Sequence, residues 1–198
     1  MKKPFGFFAV TFLLGCCLAI PAAAQTMQQA PANPLSTYLR ARYMANRNEI
    51  VRSAEKMPEE NYGMRPGPQL EVRTFGQQVA HIAKFNYLWC SQAKGEKNPI
   101  AGNDPEKLTT KAEIMKVLND AFAYCDSAYN ALTDASGMET IDITQENGSQ
   151  TRNLRMALLI LDYGHSNEVY GSMVTYMRIK SIVPASSEPR PQTPPTQK

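Results

Sequence analysis

The chain has 198 residues, 43% of them hydrophobic, and 21 Lys and Arg against 18 Asp and Glu give a net charge of +3. That length suits one domain with a real core and is short for two. No basic or acidic block stands out, so electrostatics gives no support to a nucleic-acid partner.

The N-terminus reads as a targeting segment. Lys2 and Lys3 precede an apolar run over residues 5–20, Pro21 breaks it, and Ala22, Ala23 and Ala24 stand before Gln25. This is the layout of a secretory signal peptide cleaved after Ala24, which places the mature chain in a bacterial periplasm or outside the cell. The run of about 16 residues falls short of the roughly 20 that span a bilayer, so no stable membrane span is expected after cleavage. A second reading is a lipoprotein. Leu13-Leu14-Gly15-Cys16 is a loose lipobox with Cys16 as the lipidated residue, although the apolar run continues past it. Losing Lys2 and Lys3 lowers the net charge to +1, and of four cysteines only Cys90 and Cys125 then remain. In an oxidising compartment they form a disulfide or stay as two buried thiols.

Residues 25–34, rich in Gln, Ala and Pro, read as a flexible lead-in, and the proline-rich residues 186–198 as a disordered tail. Four segments between them carry helical spacing. The first, residues 35–57, aligns Leu39, Tyr43, Ile50, Ala54 and Met57 and stops at Pro58. The second, 74–93, starts on a capping-box spacing of Thr74 and Gln77 and faces inward with Phe75, Val79, Ile82, Asn86 and Trp89. The third starts at Thr110, with Glu113 in capping-box register, and carries Ile114, Leu118, Ala121, Cys125, Ala128 and Leu132 on one face. Thr140 to Thr144 alternates and predicts a short strand or irregular loop. The fourth helix is expected over 151–180, with Leu154, Leu158, Leu161, His165, Val169, Ser172, Tyr176 and Ile179 inward. The fold class is all-α, a four-helix bundle in a domain over residues 35–185.

The chain holds two histidines, His81 and His165. His165 falls on the predicted inner stripe of the fourth helix, and His81 at the edge of the second helix's stripe. A buried imidazole needs partners for both nitrogens; a metal ion is one answer, and a carbonyl, hydroxyl or water is another.

Several fragments together resemble DinB/YfiT-like proteins. They are Met57-Pro58-Glu59-Glu60-Asn61-Tyr62, Arg65-Pro66, Arg73 through Ala83, His165 through Gly171, Tyr176-Met177-Arg178 and Ile182-Val183-Pro184. The resemblance implies up-down-down-up wiring, homodimers, and a divalent metal such as zinc or nickel held by three histidines. It maps these onto His81, His165 and position 169. Here position 169 is Val169, which cannot bind metal. Glu168 points about 100° away from that position on a helix, and Asp162, one turn before His165, can support it or act as a ligand. Ser181 stands where the family usually has glycine after the last helix.

The expected function is therefore an exported binding protein with a degenerate histidine site, taking a small ligand or a weakly held metal without catalysis. The alternatives are a metal-dependent hydrolase or thiol transferase using His81 and His165, and a structural or interaction homodimer.

Overall fold

The structure, a computed structural model, describes residues 32–144 and 148–189. The expected leader at 1–24 and the lipobox at Cys16 lie outside these residues. Among the described residues no helix is long and apolar enough to cross a membrane.

Four long helices make the body: α1 (Pro34–Lys56), α2 (Phe75–Lys94), α3 (Lys111–Ala131) and α5 (Arg155–Ile179). A short α4 (Asp134–Gly137) and a hairpin of β1 (Thr140–Thr144) and β2 (Gln150–Leu154) separate α3 from α5. Single 3-10 turns occupy Glu59–Asn61, Pro105–Lys107 and Ala185–Ser187.

The ends follow from local chemistry. Thr74 and Gln77 close a reciprocal capping box on α2, which ends on Gly95 in the left-handed region at φ 70°. The expected box on α3 is only half formed. The Thr110 hydroxyl accepts from the Glu113 amide, but the Glu113 carboxylate takes the hydroxyl proton instead of reaching the backbone. The start of α1 has no cap from its own Asn33 side chain. Asp134 caps it from across the bundle, accepting from the amides of Leu35 and Ser36 at 3.2 and 2.8 Å. After α5, Ser181 sits at φ 58° in a Schellman turn, with the Ile182 amide on the Met177 carbonyl and the Ser181 amide on Arg178. Glycine is the residue that adopts that backbone without cost.

Contacts fix the wiring. Gly76 lies against Ile114 near the starts of α2 and α3, and Cys90 meets Cys125 toward their ends, so these helices run parallel. Lys111, at the start of α3, donates to carbonyls at the end of α1, which makes α1 antiparallel to α3. Arg155, at the start of α5, donates to the Ala93 carbonyl at the end of α2, so α5 runs against α2. The order is up-down-down-up.

The core holds Ile50, Met57, Phe75, Ile82, Leu118, Phe122, Tyr129, Leu159, Met173 and Met177, all nearly free of solvent contact. Each large apolar side chain so buried contributes about 1.5–3 kcal/mol.

Two expectations require correction. Residues 151–154 are not the first turn of the last helix but part of β2, paired antiparallel with β1 in the register Thr140↔Leu154 to Thr144↔Gln150. Ladder pairing overrides a segment whose own propensity is weak. The inner face of α5 is also rotated from the predicted stripe. Of the predicted stripe Leu158, Val169 and Tyr176 are buried, but so are Met156, Leu159, Asp162, Ser166, Tyr170, Met173 and Met177 to one side of it, whereas Leu161 and Ile179, and Leu154 in β2, are exposed. Apolar residues on several sides of α5 and polar ones facing inward blur its amphipathic signal. The tail begins later than expected. Ser186 and Glu188 are held, Ser186 by the Tyr170 hydroxyl and Glu188 by Arg52 and Lys56.

Candidate functional site

The wiring brings α2 against α5, and His81 and His165 meet there with ring centroids 5.0 Å apart and planes inclined by 59°. Phe85 and Trp89, one and two turns beyond His81 on α2, close on His165 at 4.8 and 5.1 Å between centroids. The pair therefore sits in an aromatic bowl at the rim of the core. His81 is buried, and the His165 side chain is 23% exposed.

Glu106 orients His81. Its Oε1 lies 2.8 Å from His81 Nδ1, while Oε2 accepts from Arg73 Nε at 2.7 Å. Lys84 Nζ lies 3.6 Å from the same carboxylate. Burial raises the Glu106 pKa, but Arg73 and His81 outweigh it and hold the carboxyl below its usual value. The Pro105–Lys107 turn positions Glu106, and the Asp104 side chain caps it by accepting from the Glu106 amide. Behind Arg73, its carbonyl accepts from the Tyr176 hydroxyl of α5. Engaging Nδ1 leaves Nε2 of His81 for a ligand, the arrangement that outer carboxylates impose on metal-binding histidines.

His165 differs. Its Nε2 is buried and has no hydrogen-bond partner among the described residues. Its Nδ1 lies 3.8 Å from Glu168, whose side chain is 81% exposed, too far for a proper hydrogen bond. A buried nitrogen left unpaired costs about 1–3 kcal/mol, which a ligand there would offset. Burial lowers the pKa of both histidines, in His81 against the opposing pull of Glu106, and in His165 with help from His81. Both are therefore neutral at pH 7 and able to donate a lone pair. Two imidazoles on one tetrahedral zinc, with Zn–N of about 2.0–2.1 Å, hold their ring centres roughly 5 Å apart. The pair fits two donors of a metal site. It does not fit three: Val169, one turn past His165, is buried and aliphatic, and no third His, Cys, Asp or Glu forms a compact ligand group with them among the described residues.

Asp162 lies elsewhere. It faces the core and accepts from the Tyr129 hydroxyl at 2.8 Å. The Asn86 amide, oriented to satisfy its neighbours, donates to its other oxygen at 2.9 Å. Asp162 thus has its hydrogen bonds in the core and none to His165 among the described residues. Full burial pushes its pKa up to about 8, against the lowering effect of Tyr129. Beside it, Cys90 and Cys125 are joined in a disulfide with Cα atoms 5.3 Å apart. Donor atoms of Cys90, Cys125 and Asp162 all lie within 4.8 Å of one another.

Glu106 is the residue sequence reasoning missed. It lies in the connection between α2 and α3, where no periodicity ties it to His81. The only local signal, Asp104-Pro105-Glu106, marks a capped turn and not a site.

The sequence matches the DinB superfamily over residues 42–166. Two solved structures are similar in fold. A DinB-like protein of Bacillus subtilis is 19% identical, with a TM-score of 0.57 over 73% of this chain and 92% of its own. A DinB-like protein of Bacillus cereus is 16% identical, with a TM-score of 0.57 and the same coverage. No curated protein matches the sequence. The chain belongs to the DinB superfamily.

Proposed function

We propose that this is an exported, non-catalytic binding protein whose site is the His81–His165 pair, taking a weakly held divalent ion such as zinc or nickel. The observation that carries the reading is that Nε2 of His165 is buried without a partner among the described residues, on a ring 5.0 Å from that of a histidine already oriented by a carboxylate. Two neutral imidazoles supply real but modest affinity, because structural and catalytic zinc sites use at least three protein donors. A hydrolase or thiol transferase would need an ion held firmly enough to activate water or thiolate, and Val169 removes the donor that would hold it. The disulfide supports export, since such bonds persist in oxidising compartments. Exposed Ile160 and Leu161 on α5 support a dimer face.

Isothermal titration with zinc or nickel tests the site. The wild-type chain should bind one ion weakly, and His81→Ala should abolish it. Val169→His should strengthen binding at least about tenfold, as a third imidazole joins at i+4. No gain from Val169→His in a folded variant would mean that this turn of α5 does not face His81, and the metal reading would fail.

A further inference from the structure

The disulfide and Asp162 form a second cluster, remote in chemistry from the histidines. Three helices contribute: Cys90 from α2, Cys125 from α3 and Asp162 from α5. All three residues are fully or almost fully buried. Each sulfur faces an oxygen, and the one beside Cys125, a backbone carbonyl, can only accept. Cys90 Sγ lies 3.8 Å from Asp162 Oδ2, and Cys125 Sγ lies 3.3 Å from the backbone carbonyl of Asn86. A disulfide sulfur carries no proton and gains nothing from an acceptor. A thiol does, so the surroundings suit two thiols at least as well as the bond between them. The carboxylate has donors in place as well, Tyr129 on one oxygen and Asn86 on the other. Those are the outer contacts that hold a carboxylate ligand in position. Among the described residues no Lys or Arg is a partner of these three, so a bound cation would supply positive charge opposing their anionic forms.

We propose that reduction of Cys90–Cys125 turns this cluster into a buried metal site, in which two thiolates and Asp162 bind a borderline-soft divalent ion such as zinc. The disulfide and the metal are alternative staples. The oxidised form ties α2 to α3, and the metal form ties both to α5. The chemistry balances with a phosphine as reductant. It gives two electrons to the S–S bond and becomes the phosphine oxide, with the oxygen drawn from water, and each sulfur takes up one of the water's protons. Metal binding then expels both thiol protons and the carboxyl proton. Thiolate donors and a carboxylate match zinc or cobalt(II) and disfavour magnesium or calcium.

The test uses the full chain, reduced anaerobically with a water-soluble phosphine, freed of it, and titrated with cobalt(II). One ion per chain with a sulfur-to-cobalt charge-transfer band is expected in the reduced protein. The band should be absent from oxidised protein and from Cys90→Ser, whatever ion the histidine pair takes up. Asp162→Asn, nearly isosteric, should weaken binding at least about tenfold, and His81→Ala should leave the band unchanged. That last variant separates the cluster from the imidazole pair, so either site can fail alone. In His81→Ala, where the imidazole pair is lost, zinc should also raise the melting temperature of reduced but not oxidised protein. The proposal is overturned if reduced protein with native far-ultraviolet circular dichroism shows no such band. It is equally overturned if the band arises without reduction, or if Asp162→Asn binds as tightly as wild type.

Discussion

His165 and Asp162 are separated by one turn of α5, yet their surroundings differ in almost every physical respect. His165 sits at the rim, among aromatic rings, with one buried nitrogen unpaired and a side chain still partly wet. Asp162 is wholly dry, carries hydrogen bonds on both oxygens and lies against the bond joining α2 and α3. The first is incomplete and open to a ligand. The second is satisfied and contributes to the core. Polar residues on one helix thus divide by depth: a group near the rim can leave a partner to solution, whereas a group at the centre must find all its partners within the protein.

The largest expected effect strikes the deep cluster. Replacing both cysteines by alanine opens a loop of 35 residues, and loop-closure entropy puts the loss near 4 kcal/mol. Urea denaturation of Cys90→Ala/Cys125→Ala against wild type measures it. A loss under about 1 kcal/mol would mean that the bond does little to secure this layer.

Asp162 gives a pH signature. Folded, it keeps its proton up to about pH 8, whereas the unfolded chain releases it near 3.8. The folded state therefore binds the extra proton. Stability is full below pH 4 and falls as pH rises through 8. Tyr129 and Asn86 face the carboxyl and carry no compensating positive charge. Thermal melts of oxidised Asp162→Asn should lack this slope and exceed wild type at pH 8 and above, with the difference closing in acid.

At the rim, Glu106→Gln should leave the fold intact and weaken metal binding about 10- to 100-fold, because His81 loses the acceptor that fixes its ring. Titration calorimetry reads this directly, and an unchanged affinity would remove Glu106 from the site. The smallest effect lies outside both clusters. Ser181→Gly should stabilise the chain by about 1 kcal/mol, since a non-glycine residue at φ 58° pays for its Cβ. Chemical denaturation suffices to detect it.

Much of the fold was legible because its signals are local. The Thr74–Gln77 cap, the stop at Pro58 and the inner faces of α1, α2 and α3 depend on residues within a few positions of one another. The hairpin was half legible. Thr140 to Thr144 alternates, but its partner is defined only by pairing across the turn. On α5 the spacing rightly turns Leu158, Val169 and Tyr176 inward but also turns in Leu161 and Ile179, which are exposed. Apolar side chains surround that helix, and only the neighbours to be covered decide which ones turn inward.

The amino-acid sequence alone determined four helical segments, two histidines that the helices could bring together, and an aliphatic residue where a third ligand would stand. These are matters of residue type and spacing along one helix. Tertiary structure decided that Glu106 backs His81, that Asp162 belongs to the cysteines and not to His165, and that Asp134 caps the start of α1. Each of those contacts joins residues from separate elements, and it exists only because packing two apolar faces brings their polar edges within reach.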